Sequence, residues 1–266
     1  KREIFSEQTT TNYRQEFAQI GMQISDRLST EEWKELYKKL INWDLKVNEA
    51  DNEMHEMLRM QREEANNMFM RFVKNNYEQW VNDADNRPMI SPDIFKKKIF
   101  PLLDAGEKVF FVVIDNFRYD QWRMIQEVLA DYYTFESDDL YFSILPTATQ
   151  YARNAIFAGL MPLQIKKMFP ALWVDEEDEE GKNMNEEELI RTMLERYRRP
   201  IQFSYHKLNN SEAGEKLIEQ LHKLEKNPLN VCVINFVDML SHARTESKMI
   251  RELANTEAAY RSLAVS

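Results

Sequence analysis

The first 87 residues of the chain contain no proline and a single glycine. Apolar residues recur there every three or four positions, which is the period of an amphipathic helix. The first stripe comprises Tyr13, Phe17, Ile20, Ile24 and Leu28. A long segment of this kind buries its apolar faces by packing helix against helix. We therefore predict an antiparallel helical bundle over residues 1–88, which Pro88 and Pro92 end because proline cannot continue a helix.

Two further stripes supply the rest of the predicted bundle core. Ser29 and Glu32 form a capping-box pattern, which predicts the start of a second helix. That helix carries Trp33, Leu36, Tyr37, Leu40 and Ile41, and a third segment carries Met54, Met57, Leu58, Met68, Phe69, Phe72 and Val73. Methionine and aromatic residues at this spacing are typical of a packed core. We interpret His55, in the third segment, as a polar helix residue.

Residues 89–266 consist of short apolar runs separated by helical patterns. The predicted strands are Val109–Ile114, Leu140–Ile144, Ile201–Tyr205 and Val231–Val237. The predicted helices are Tyr119–Ala130, Gln150–Ala158 ended by Gly159, Glu186–Arg198, Ser211–Glu225 and one from Glu246 onward. Strands that alternate with helices predict an α/β domain with a largely parallel sheet.

Composition excludes several classes of function. The net charge of -10 argues against a protein that coats nucleic acid by charge alone. Five widely spaced glycines exclude the glycine-rich phosphate loops of Rossmann and P-loop proteins. The single Cys232 cannot form an intramolecular disulfide, and no apolar run is long enough to span a bilayer. We expect a soluble, cytoplasmic protein without membrane insertion, and we interpret the acidic run at residues 175–180 as a solvated loop.

Candidate functional residues follow the ends of three predicted strands. Asp115 follows the first strand, Thr149 lies just beyond the second, and Asp238 and His242 follow the last. Carboxyl ends of parallel strands meet at one edge of a sheet, where ligands bind in open α/β folds. Two carboxylates, a hydroxyl and an imidazole are the donors of a metal hydrolase. A divalent cation and a helix N-terminus would both favour the Thr149 alkoxide as a nucleophile.

Each of these residues also has a structural interpretation. Asp115 and Thr149 are each suited to cap a following helix, and Asp238 with His242 could form a local hydrogen bond in a turn. Arg118 and Arg153 are candidates to bind non-bridging phosphate oxygens, with a surface ion pair as the alternative for either residue.

Three segments resemble motifs of the alkaline phosphatase superfamily, particularly its nucleotide pyrophosphatase/phosphodiesterase branch. Residues 113–118 resemble the first metal-ligand motif, although Asn116 replaces the glycine common there. Residues 146–150 are similar to the nucleophile motif, whose second threonine corresponds to Thr149. Residues 238–242 resemble the Asp-x-x-x-His metal motif. The resemblance implies Asp115, Thr149, Asp238 and His242 as ligands of a two-zinc site and Thr149 as the nucleophile. We expect Asp115 and Thr149 to share one metal and Asp238 and His242 another, with Asn116, Arg118 and Arg153 as candidate substrate contacts.

The sequences of these motifs are similar to those of the PglZ domain. The chain as a whole resembles the region after the receiver domain in PorX-type response regulators. That resemblance implies a zinc-dependent phosphodiesterase that acts on nucleotides or oligonucleotides and regulates type IX secretion. It also implies a homodimer controlled by an N-terminal receiver, with secretion or signalling proteins as partners. The predicted domains are a bundle over 1–88, serving as a linker and dimerisation region, and a PglZ domain over 89–266.

The superfamily completes its metal site with a later Asp-His pair and a further histidine. The chain contains no Asp-His dipeptide, and its four histidines are His55, His206, His222 and His242. We interpret His206 and His222 as structural. We expect a PglZ domain truncated before its site closes, with partial zinc occupancy and no activity by itself. The alternatives are a non-catalytic signalling and protein-interaction module, and a module that binds nucleic acid without cleaving it.

Overall fold

The computed structural model describes residues 2–47, 52–174 and 184–239. The chain forms two compact units, Lys1–Pro88 and Met89–Ser266. Among the residues that the structure describes, no helix is both long and apolar enough to cross a membrane.

The described part of the first unit is helical. Its helices are α1 (Arg2–Gln23), α2 (Thr30–Val47) and α3 (Asn52–Asn82). The ring of Trp33, early in α2, packs edge-on at 5.1 Å from that of Phe69 in α3. Asp44, late in α2, forms an ion pair of 3.0 Å with Arg62, which precedes Phe69 in α3. Because later residues of α2 meet earlier residues of α3, these two helices run antiparallel.

The start of α2 follows the predicted capping box. The Ser29 N–H donates to Glu32 Oε2 at 2.7 Å, and the Glu32 N–H donates to Ser29 Oγ at 3.2 Å. These bonds satisfy donors that a helix start otherwise leaves unpaired. Hydrogen bonding to the Ser29 backbone, and then to the Ser29 side chain, lowers the pKa of Glu32. Most of the predicted stripe of α2 is buried, but Tyr37 is exposed. The predicted first stripe was too long, because α1 ends at Gln23.

The second unit combines short helices with a small sheet. Its helices are α4 (Phe100–Asp104), α5 (Tyr119–Leu129), α6 (Thr149–Ala158), α7 (Pro162–Met168), α8 (Glu186–Arg196), α9 (Ser211–Glu219) and α10 (Leu221–Leu224). Its strands are β1 (Val109–Ile114), β2 (Phe203–Leu208) and β3 (Leu229–Ile234), in the spatial order β1-β3-β2. All pairings are parallel, with Val109 and Phe203 both opposite Leu229. The predicted parallel sheet is therefore confirmed.

One face of this sheet forms the core of the unit. The side chains on this face are Val109, Phe111, Val113, Phe203, Tyr205, Leu229, Val231 and Val233, and they pack with residues of α6 and α8. β3 is the central strand and its residues are the most deeply buried. The helices α6 and α8 are thereby held against the sheet, which fixes the start of α6 near the carboxyl ends of the strands.

Several predicted elements differ from the structure. The predicted strand Leu140–Ile144 was wrong, because this segment is irregular and pairs only through an isolated bridge between Phe142 and Ile90. The strand predicted from Ile201 begins at Phe203, and that predicted to end at Val237 ends at Ile234. The helix predicted over 211–225 is divided into α9 and α10. The helix predicted from Glu246 lies outside the described residues.

Candidate functional site

Polar side chains gather where the three strands end. The Asp115 N–H, just beyond β1, donates to the Ile234 carbonyl of β3 at 2.9 Å. The Asn235 N–H, just beyond β3, donates to the Leu208 carbonyl of β2 at 3.0 Å, and its side chain donates to Asn209 Oδ1 at 2.9 Å. The parallel register thus brings the residues that follow all three strands to the same edge.

Asp115 is followed by a residue in an unusual backbone conformation. Asn116 has a φ of 56°, in the left-handed region where asparagine and glycine are best tolerated. In this conformation the Asn116 N–H donates to Asp115 Oδ1 at 3.1 Å. Asp115 Oδ1 therefore accepts a hydrogen bond within the turn that follows β1. The predicted alternative, in which Asp115 caps α5, is wrong because the N-cap of α5 is Arg118.

Arg153 of α6 links this edge to the interior. Its Nη1 lies 2.9 Å from Asp115 Oδ2 and 3.1 Å from Asn235 Oδ1, and its Nε lies 2.5 Å from Glu186 Oε1. The Arg153 side chain is 5% exposed, Glu186 is fully buried and the Asp115 side chain is 15% exposed. The predicted alternative of a surface ion pair is therefore wrong for Arg153, whose ion pairs are buried.

Glu186 has a second partner in the core. Its Oε2 accepts a hydrogen bond from the Tyr205 hydroxyl of β2. Burial, reinforced by the adjacent Glu186 carboxylate, raises the pKa of Tyr205 far above its usual range. The phenol is therefore neutral and acts as a donor throughout the physiological pH range.

Thr149 is the first residue of α6, and Ala148 is its N-cap. The predicted alternative of Thr149 as an N-cap is therefore wrong by one residue. Ala148 offers no side-chain acceptor to the N–H groups of the first turn, although its carbonyl accepts from the Tyr151 and Ala152 N–H groups at 2.9 Å. The partial positive charge of the helix start therefore lies beside Thr149. Thr149 precedes Arg153 by four residues and shares its helix face, which is the face that meets Asp115.

The other predicted site residues occupy different settings. Arg118 is about half exposed and forms a two-pronged ion pair with Asp120 at 2.8 and 2.9 Å, which is the surface pair considered from the sequence. Asp238 is partly buried, four residues beyond β3. His242 lies outside the described residues. Among the residues that the structure describes, no three His, Cys, Asp or Glu side chains come together closely enough to hold a metal ion.

Three residues of this cluster were missed from the sequence, namely Glu186, Tyr205 and Asn235. Asn235 interrupts an otherwise apolar run, and this polar residue at the end of a strand was a usable signal. Glu186 stands at the start of a predicted helix in a glutamate-rich stretch, where nothing distinguishes a buried carboxylate from solvated ones.

Residues 94–265 match the BREX system PglZ alkaline phosphatase-like domain. This match covers more than half of the chain, so the chain belongs to that family. Residues 3–81 match the PorX response regulator linker domain. No curated protein matches the chain.

The alkaline phosphatase-like superfamily is generally metal-dependent, and the donors at this edge have suitable chemistry for a divalent cation. Asp115 uses one lone pair of each carboxylate oxygen for Asn116 and Arg153, which leaves a second lone pair on each. Its partial exposure leaves these lone pairs accessible. Among the described residues, Asp115 is therefore the best-defined candidate donor for such a cation.

Proposed function

We infer that the chain, which joins a linker of the response-regulator type to a PglZ domain, is the effector region of a response regulator. We propose that this region is a zinc-dependent phosphodiesterase, with Thr149 as nucleophile and a nucleotide or oligonucleotide phosphodiester as substrate. One observation carries this proposal: Arg153 ties the helix that begins with Thr149 to the Asp115 carboxylate at the strand ends.

In this proposal Asp115, Thr149, Asp238 and His242 hold zinc, which would lower the pKa of the attacking hydroxyl and stabilise charge on the phosphoryl oxygens. The first-turn N–H groups of α6 favour negative charge on the Thr149 oxygen. Asn116 and Arg118 are both exposed and lie within three residues of Asp115, and we assign them to the non-bridging phosphate oxygens. In this assignment Arg118 exchanges its ion pair with Asp120 for the phosphate. Arg153 is buried against three protein groups, so we assign it to positioning Asp115 instead of to substrate.

The proposed activity is tested by hydrolysis of bis-p-nitrophenyl phosphate with zinc or manganese. Thr149→Val keeps the shape of the side chain but removes the nucleophilic oxygen, so we expect the rate to fall by at least about a hundredfold. Thr149→Ser should retain a measurable rate. Thr147→Val, two residues away at an exposed position, is the matched control and should act as the wild type does. Full activity of Thr149→Val would contradict the assignment.

A second candidate is a non-catalytic signalling module. It is favoured by the fact that no three metal-binding side chains converge among the described residues. In this alternative the PglZ fold serves protein contact, and the helical unit transmits the signal. Normal signalling by Thr149→Val, together with loss of signalling when the α2–α3 core is disrupted by Phe72→Asp, would favour this module over the enzyme.

The regulatory part of the proposal concerns the whole protein. We propose that the helical unit connects a receiver domain to the PglZ domain in a cytoplasmic homodimer that regulates type IX secretion through secretion or signalling partners. Its support is the match of residues 3–81 to a response-regulator linker. Sedimentation of the protein with and without receiver phosphorylation tests the dimer, because the proposal requires the phosphorylated form to be the more dimeric.

A further inference from the structure

Glu186 is a fully buried carboxylate with two partners, the Arg153 guanidinium and the Tyr205 hydroxyl. A buried ion pair is seldom more stabilising than well-packed apolar side chains of the same volume. Glu186 accepts from Arg153 Nε on one oxygen and from the Tyr205 hydroxyl on the other. Its bonding capacity is thus directed inward, away from the strand ends where Asp115 lies.

The charges of this cluster do not cancel. Counted as formal charges, Arg153 contributes one positive charge, and Asp115 and Glu186 contribute two negative charges. Asn235 and the neutral Tyr205 add hydrogen bonds without adding charge. The cluster therefore has a net charge of about -1. Asp115 is the more exposed of the two carboxylates, so the excess negative charge faces the edge of the sheet.

Arg153 alone would neutralise Asp115 and weaken its attraction for any external cation. Glu186 offsets this effect, because it shares the guanidinium from the buried side. We propose that Glu186 is a positioning and charge-balancing residue that orients Arg153 and keeps Asp115 negative enough to bind a divalent cation. This inference rests on the proposed function, in which Asp115 is a metal ligand. It adds a role for Glu186, the residue on the buried side of Arg153.

Two nearly isosteric substitutions change the charge of the cluster in opposite directions. Glu186→Gln removes one negative charge, and Asn235→Asp adds one next to Arg153 Nη1. Binding of Co²⁺ to the protein, followed by visible absorption and calorimetry, is the readout. We expect Glu186→Gln to weaken binding roughly tenfold and Asn235→Asp to strengthen it by a similar factor. The double variant should return to within about threefold of the wild type.

Glu187→Gln is the matched control, because Glu187 is the next residue along α8 and is exposed in an ion pair with Arg191. The same change of charge at this exposed position should leave Co²⁺ binding within about twofold. A purely structural role for Glu186 predicts that Asn235→Asp does not restore Co²⁺ binding in the double variant. If Glu186→Gln does not fold, as shown by circular dichroism, the double variant, which restores the charge of the cluster, decides the question by its Co²⁺ affinity.

The outcomes also separate this inference from the proposed function. Co²⁺ binding that is unaffected by Glu186→Gln and Asn235→Asp would overturn the charge-balancing role and leave the metal site standing. Failure of the wild-type protein to bind Co²⁺ at millimolar concentration would overturn both. Opposite shifts in the two variants, with recovery in the double variant, would support the role of Glu186.

Discussion

The guanidinium of Arg153 lies 2.9 Å from the carboxylate of Asp115, although the two residues belong to different elements of the fold. This contact joins the helix that carries the candidate nucleophile to the strand end that carries the candidate metal ligand. The same guanidinium reaches Glu186 and Asn235, so one side chain organises the edge of the sheet from inside the domain.

Arg153→Met should destabilise the protein by about 3–5 kcal/mol, because it leaves the Glu186 carboxylate buried without its cation. Arg191→Met is the control, since Arg191 pairs with Glu187 and Glu188 on the surface of α8. The control should change the free energy of unfolding by about 1 kcal/mol or less. Urea denaturation of both variants measures the difference, and equal midpoints would contradict a buried role for Arg153.

Features with a local cause were predictable from the sequence. The capping box at Ser29 and the end of α6 at Gly159 each depend on residues within a few positions of one another. The strand predicted over Leu140–Ile144 was wrong. Apolar composition indicates burial, whereas a strand also requires a neighbouring strand with free hydrogen-bonding groups. Here only Ile90 pairs with the segment, through Phe142.

The buried part of the site was not predictable in the same way. Asp115 and Thr149 follow from strand ends and motif resemblance, but Arg153 meets Glu186 and Asn235 across 33 and 82 residues of sequence. Which of several glutamates becomes buried depends on how α8 packs against α6 and the sheet, and local periodicity does not specify that packing.

Because Asn116 is in the left-handed conformation, its substitution should change the stability of the turn beside Asp115. Asn116→Gly should be nearly neutral, whereas Asn116→Ala should destabilise the protein by about 1 kcal/mol because a Cβ without a polar group is strained at this φ. Thermal denaturation of the two variants tests this expectation. Equal stability of both would show that the turn relaxes out of the left-handed region.

Gly159, at the end of α6, has a φ of 59° and little room for a side chain. A Cβ there would lie 3.2 Å from Met193 Sδ. Gly159→Ala should therefore destabilise the protein by about 1–2 kcal/mol, through backbone strain together with the displacement of Met193. Gly214 lies within α9 with no atom within 4 Å of an added Cβ, so Gly214→Ala should stabilise by about 0.5–1 kcal/mol. Destabilisation of similar size in both variants would contradict this reasoning.

We expect His206, in β2, to cause part of the loss of folding stability in acid. Burial lowers the pKa of His206 below its ordinary value of 6.5, with Glu187 opposing the shift weakly. Its Nε2 has no hydrogen-bond partner within the part of the chain that the structure describes. The folded protein therefore prefers the neutral imidazole. The resulting stabilisation is present above pH 6.5 and is lost as the pH falls through the lowered pKa.

Replacing His206 by glutamine removes the titrating group but keeps a polar side chain of similar size. We expect His206→Gln to lose less stability than the wild type between pH 7 and about pH 5, measured as the change in urea midpoint. His222→Gln provides the control, because His222 is exposed on α10; it should follow the wild-type pH dependence. If all three proteins lose stability in parallel, carboxylates elsewhere in the fold, and not His206, cause the acid sensitivity.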